Sequence, residues 1–381
     1  MSISIKTIES LHDINKNEWN KLTGESYPFT RYEFLAALEN NGAVGKEFGW
    51  LTHFFLAYDN NTLVGALPAY IKFNSYGEFV FDWAWADAYH RNNVPYYPKL
   101  VTSIPYTPAT GPRLLIEDNE HYQDIAGALI TAALSFAKET NLSSYHCLFT
   151  NKKDTDFFKS HPEFMMRLGC QFHWQNNHYE SFEHYLEHLT SKKRKQIKRE
   201  RRIVNQQEIE FEILNGHTAT EQHWDTYHQF YKSTFDRKSG IATLSNDFFK
   251  EIAKTMPSNI VLVMAKHQGE YVASAFNLKG KDALYGRHWG CNENFDNLHF
   301  EACYYQGLDY CIKHNLKLFE PGAQGEHKIA RGFMPTKTWS AHWIADPTFK
   351  EAISNFLTHE TGGMLHYIEE LNQHSPFKES K

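Results

Sequence analysis

Long apolar runs are missing from this 381-residue chain; none approaches the ~18–20 residues that cross a bilayer. The N-terminus alternates apolar and polar residues over 1–9, like a strand, and has no apolar core of signal-peptide length. Cysteine is scarce and odd in number: Cys147, Cys170, Cys291, Cys303 and Cys311, with no Cys-x-x-Cys. Neither a disulfide framework nor a zinc knuckle is supported, and no metal is expected. A positive charge surplus is also absent. The formal net charge is −6, so any contact with a polyanion must be local. These absences point to a cytoplasmic, reducing setting and a surface without a transmembrane segment.

What is present is enough apolar sequence, 41%, for real cores, and enough length for two domains. Aromatics reach 15% and many fall in loop-like stretches, which suggests ring-lined clefts.

Two half-chains follow one plan. Residues 53–58 and 62–73 read as a hairpin around Asp59-Asn60-Asn61; 260–266 and 271–279 read as another around His267-Gln268-Gly269. They align without a gap, Ala57 on Ala265 and Val64 on Val272. Each is followed by a strand, a long helix and another strand. The second helix carries Phe300, Cys303, Tyr304, Gly307, Leu308, Cys311 and Ile312 at i, i+3, i+4, i+7 spacing. Its counterpart, 123–138, carries Ile125, Ala128, Leu129, Ala132 and Phe136. The pattern predicts an α/β (α+β) fold with mixed sheets flanked by helices, built by duplication. The boundaries are 1–180 for the first domain, 181–205 for a basic helical connector and 206–381 for the second. The first half inserts a Pro/Tyr-rich segment, 87–118, which reads as a wall of the binding cleft. Within it, Tyr106, Thr107, Gly111 and Arg113 are candidate substrate contacts.

Between the halves, residues 192–202 hold eight cations and one anion. Ser191 is placed to cap this helix. Its field suits phosphates, with Arg194 and Lys195 as candidate contacts to a nucleotide-linked substrate or tRNA. Just before it, His184-Tyr-Leu-Glu-His188 matches an inverted zinc-protease pattern, but with 22 histidines chance pairs are expected and no third ligand follows.

The richest segment is Glu320-Pro-Gly-Ala-Gln-Gly-Glu-His-Lys-Ile-Ala-Arg-Gly-Phe333. Three glycines allow sharp turns, and acid, imidazole and cations crowd around them. Such a mixture suits a pocket that holds an anionic ligand and moves protons.

This block, with Tyr285-Gly-Arg-His-Trp-Gly290, Leu298 to Gln306, Ser340-Ala-His-Trp343 and the first-half segments Pro98-Lys99-Leu100 and Pro105 to Leu115, resembles the FemAB-like family of predicted N-acyltransferases linked to peptidoglycan biosynthesis or recognition. The resemblance implies tandem GNAT-like domains and an acyltransferase or aminoacyltransferase acting on an amine acceptor, small-molecule or nucleotide-linked, such as a cell-wall precursor. The other reading is a non-catalytic module that recognises such a precursor or another polyanion. No tightly bound cofactor is expected; acyl-CoA or aminoacyl-tRNA would be the donor. A departure bears on that choice. The stretch 291–298, where a typical GNAT carries its glycine-rich phosphate cradle, contains no glycine.

Acyl transfer to an amine needs a base, donors for the oxyanion and a proton for the leaving group. Candidates for proton transfer are Glu326 and His327 in the block, Glu301 and His299 at the start of the second helix, and His288 in the preceding strand. Strand alternation puts Arg287 and Trp289 on one face and His288 on the other. The backbone of Gln324 and Gly325 is a candidate oxyanion site, and Lys328 with Arg331 a candidate anion clamp.

Overall fold

The computed structural model describes residues 2–117, 119–237, 240–293, 295–323 and 325–378. Gln324 therefore lies outside the described residues. The chain forms two compact units, each discontinuous in sequence: 1–170 with 337–367, and 171–336 with 368–381. The expected boundary at 180 thus moves to 170. The basic connector belongs to the second unit, and a later stretch returns to the first. Among the described residues no helix is long and apolar enough to cross a membrane.

In the first unit, strands β1 (Ile3–Ile8), β2 (Trp50–Thr52), β3 (Phe54–Asp59), β4 (Thr62–Leu67), β5 (Tyr70–Lys72), β6 (Lys99–Thr102), β7 (Leu115–Ile116) and β8 (Ser144–Cys147) form two ladders. One runs β1-β3-β4-β7; the other runs β2-β5-β6-β8, with β6 and β8 parallel. The helix Tyr122–Glu139 packs Ile125, Leu129, Ala133 and Ala137 onto Phe55, Leu67 and Tyr145. Its buried stripe is rotated from the expected one: Ala126, Ile130 and Ala133 are buried, whereas Ala128 and Ala132 are only partly so. Gly65 is required where the helix crosses, because a Cβ there would lie 2.6 Å from Ile125.

The Pro/Tyr-rich insert is not a cleft wall. It supplies β6, the parallel partner of β8, and Leu100, Val101, Ile104 and Tyr106 are buried. Nor does it begin in a loop: Trp83–Arg91 is a helix. Beneath it lies a buried ionic cluster. Lys99 Nζ, fully buried, binds Glu78 at 2.9 Å and also Asp82 and Ser75. The Tyr96 hydroxyl donates to Asp82 at 2.6 Å. Pairing of this kind is what permits charges in a core.

The second unit contains the end of β9 (Met165–Gln175), then β10 (Ile209–Leu214), β11 (Ile260–His267), β12 (Glu270–Lys279), β13 (Ala283–Cys291) and β14 (Leu318–Glu320). The order is β10-β11-β12-β13-β14-β9, antiparallel except for β13 and β14. β11 is buried over six successive residues, Ile260–Ala265, as a central strand of branched and apolar residues should be. β15 (Met334–Ile344) carries the chain back to the first unit, where Ala341–Ile344 pair with β8.

The long helix before β14 is interrupted. It begins as Leu298–Phe300, passes through a π-helical turn at Glu301–Tyr305 and continues as Gln306–Lys313. The extra residue of a π-turn shifts the faces of what precedes it. Glu301, Ala302 and Tyr305 are consequently buried, and Phe300 and Cys303 are only half-buried. The expected unbroken stripe from Phe300 fails here for that reason.

The basic helix is Ser191–Gln206, with Thr190 rather than Ser191 at its N-cap and no side-chain capping bond. It docks through Ile197, Glu200 and Val204. Lys192, Lys195, Lys198, Arg199 and Arg202 face outward.

Candidate active site

The site forms where β13 and β14 stop pairing. Their parallel ladder ends at Tyr285 and Glu320, while β13 runs on to Cys291. Gly286 and Pro321 meet at this point; a Cβ on Gly286 would lie 3.1 Å from Pro321 Cα. The chain then turns through Gly322, Gly325 and Gly332, with φ of +96°, +117° and +83°. The sharp turns expected of these glycines are present. Gly325 has a second reason to be glycine, since a Cβ would fall 2.3 Å from the His327 ring.

Residues Glu326–Arg331 form a 3₁₀ turn. His327 is exposed, and its Nε2 lies 2.9 Å from the Tyr304 hydroxyl. Phe300 and His299 lie beside the ring, at 5.7 and 6.4 Å between centroids. The glycine block and the start of the Phe300 helix therefore converge. Partial desolvation of the ring, then the charges of Arg331 and Lys328, lower the His327 pKa and favour the neutral imidazole. Burial holds the Tyr304 phenol well above its usual range, so it stays protonated.

Lys328 is 2% exposed, and its Nζ donates to Gly322 O at 2.7 Å. No carboxylate among the described residues pairs with it. Burial lowers its pKa to about 8. An amine buried without a counter-ion is uncommon and marks a place where an anion would be welcome. His173, on β9, sits nearby with its Nε2 3.8 Å from Glu320. Burial, then the Lys328 charge, brings its pKa to about 3.

Other expected residues are placed elsewhere. Arg331 is not a free clamp: it is 3% exposed, binds Glu200 at 2.8 and 2.9 Å, the Tyr305 hydroxyl at 3.0 Å and His327 O at 2.7 Å, and stacks on Phe300. Glu301 faces the basic helix, pairing with Arg201 at 3.0 Å, and not His327. His288 packs edge-on to Tyr231 and close to Phe249, on the face opposite Trp289, whose ring meets His299. Burial and Arg287 hold its pKa far below the usual range. Simple alternation fails at Arg287, the extra residue of a β-bulge where Phe276 faces His288 and Asn277 faces Gly286. Glu326 is exposed at the start of the 3₁₀ turn.

The four first-half candidates are structural. Arg113 is 1% exposed, its guanidinium bound to the carbonyls of Leu148, Ala109 and Pro112. Tyr106 is buried with its hydroxyl on Ala43 O, and Thr107 bonds Pro105 O. Gly111 lies against Tyr27, whose ring a Cβ would meet at 2.3 Å. In the basic helix Arg194 is half-buried near Ser191, and Lys195 is exposed. His184 and His188 pack against Tyr179, and no group of three or more potential metal ligands occurs among the described residues. Two residues of this region escaped the sequence reading. Tyr304 looked like a stripe residue, and His173 sits in a strand with no motif around it.

Residues 10–379 match the model of the FemAB-like family, described as peptidoglycan biosynthesis/recognition. No curated protein matches by sequence. Among solved structures, FemX aligns with TM-score 0.55 and 10% identity, covering 92% of this chain and all of that one. The C-terminal domain of a putative lysylphosphatidylglycerol synthetase from Agrobacterium fabrum aligns with TM-score 0.56 and 6% identity, covering 91% and 97%. L-PGS from Bacillus licheniformis gives 0.51 and 10%, covering 84% and 95%. The fold is the expected mixed α/β one of two similar units, shared with these structures.

Proposed function

We propose that this chain, which belongs to the FemAB-like family, moves an aminoacyl or acyl group onto the amine of a cell-wall or lipid precursor. The observation that carries this reading is the neutral, exposed imidazole of His327, held by Tyr304 beside the buried amine of Lys328. The name of one structural neighbour, lysylphosphatidylglycerol synthetase, describes the kind of product such a transfer makes.

In the proposed reaction His327 takes a proton from the acceptor ammonium. The free amine attacks the donor carbonyl; a C–N bond forms and the carbonyl pair moves to oxygen. The Lys328 ammonium, charged at pH 7, faces the oxyanion that develops. Collapse breaks the C–O bond of an ester donor, or the C–S bond of a thioester; the imidazolium returns its proton to the leaving atom, and the new amide nitrogen releases its extra proton to solvent. Aminoacyl-tRNA is the preferred donor. The outward cations of the basic helix, Lys195 among them, suit its phosphates, and the glycine-free stretch 291–298 does not favour acyl-CoA.

The test is single-turnover transfer from charged tRNA, or from acyl-CoA, to nucleotide-linked muropeptides and aminoacyl-accepting lipids. His327→Ala should lower the rate by ~10²–10⁴ and leave donor affinity intact. Full turnover by H327A overturns the role of the imidazole. Tight, salt-sensitive binding with no turnover by the unaltered chain overturns the transferase reading in favour of recognition.

A further inference from the structure

The π-turn that takes Glu301 away from His327 gives it a different outlook. Its Oε1 accepts from Arg201 at 3.0 Å and from Gln306 at 2.8 Å. Its Oε2, in a residue only 3% exposed, meets no hydrogen-bond donor. Glu301 is one of the residues lining a groove of about 380 Å³ between the basic helix, β10 and the π-turn. Arg202, Asn205, Val204, Ile209 and Phe211 also line it. Arg201 is spent on Glu301 and Asp309, whereas Arg202 and Asn205 are exposed and hold no side-chain partner among the described residues.

This lining has three parts with different demands. A buried carboxylate oxygen without a donor is costly, and an N–H cation compensates it better than a neutral hydroxyl. An unpaired guanidinium and an amide call for a carboxylate or carbonyl. Val204, Ile209 and Phe211 offer an apolar wall. The volume suits a small molecule, and π-turns recur at functional positions. We infer that the groove binds an apolar α-amino acid, free or as its ester. The ammonium donates to Glu301 Oε2, a free carboxylate accepts from Arg202, an ester carbonyl accepts from Asn205, and the side chain lies on Ile209 and Phe211. This assignment stands whether or not His327 performs transfer.

Calorimetry on the full chain tests it with L-leucine, L-leucinamide and N-acetyl-L-leucine as probes. L-leucine and L-leucinamide should bind. The acetylated probe, lacking the cation, should bind at least ~10-fold more weakly. Glu301→Gln should cost both binders ~10-fold or more. Arg202→Ala, on an exposed residue, should weaken L-leucine by ~5-fold or more and leave L-leucinamide within ~2-fold. Tighter binding of the amide points to an esterified ligand, tighter binding of the acid to a free one. H327A should retain all of this binding. The inference fails if neither binder is held at millimolar concentration, if N-acetyl-L-leucine binds equally well, or if R202A leaves L-leucine affinity unchanged.

Discussion

The two units repeat their details as well as their plan. The hairpin β3/β4 shifts register between Ala57 and Tyr58, and β11/β12 shifts between Ala265 and Lys266, the aligned positions. Asn60 and Gln268, also aligned, both turn with positive φ, +55° and +51°. Asn141 and Asn315 end the two long helices at +56° and +54°, and in each the following leucine N–H reaches back to the helix, Leu142 to Ala137 O and Leu316 to Cys311 O. The parallel strand pair is where they part. In the first unit β6 and β8 lie over a buried cluster in which the Lys99 amine is paired with the carboxylates of Glu78 and Asp82. In the second, β13 and β14 separate at Gly286 and Pro321, and the amine nearby, Lys328, pairs with no carboxylate among the described residues. Duplication preserved the scaffold; the open strand pair and the uncompensated cation distinguish the half that carries the proposed chemistry.

The comparison can be broken most forcefully through its buried ion pairs. Lys99→Ala in the first unit and Arg331→Ala in the second each strand buried carboxylate, Glu78 with Asp82 or Glu200. Each should cost about 3–5 kcal/mol in urea unfolding, with hydrogen exchange rising in its own unit first. Next comes the uncompensated amine. Between pH 8 and 10.5 the folded state has released the Lys328 proton and the unfolded state still holds it, so stability rises with pH across that window. At ~1.4 kcal/mol per unit of pKa the rise is on the order of 3 kcal/mol, and Lys328→Met should remove it, as read by melts at pH 7 and pH 10. The smallest effect sharpens the symmetry. Gln268→Gly should stabilise by about 0.5 kcal/mol, because a left-handed turn strains a non-glycine residue. Asn60→Gly should change little, because asparagine tolerates that region. Equal effects at the two turns would weaken the equivalence of their strain.

Much of this was readable in advance. Hairpins announce themselves through alternation and turn residues, and the glycine block through its composition. What stayed hidden depends on partners far along the chain. Arg331 looked free because Glu200 lies 131 positions away. Arg113 looked like a substrate contact because the carbonyl of Leu148, 35 positions on, is invisible to local reading. Glu301 was misplaced for a subtler reason: a stripe read at 3.6 residues per turn cannot register the residue that a π-turn inserts. Tyr106 and Gly111 sit in a proline-rich stretch that resembles a surface loop, yet that stretch contains a strand paired on both edges, β5 on one and β8 on the other.

The return of β15 to β8 also sets an order of events. During synthesis β8 emerges early, and the whole body of the second unit must be made before Ala341 arrives to cover it. At ~5–20 residues per second that leaves a bare strand edge for on the order of ten seconds or more. Such an edge is a template for wrong pairing. The nascent chain is therefore most exposed to aggregation while the half with the proposed chemistry is already taking shape.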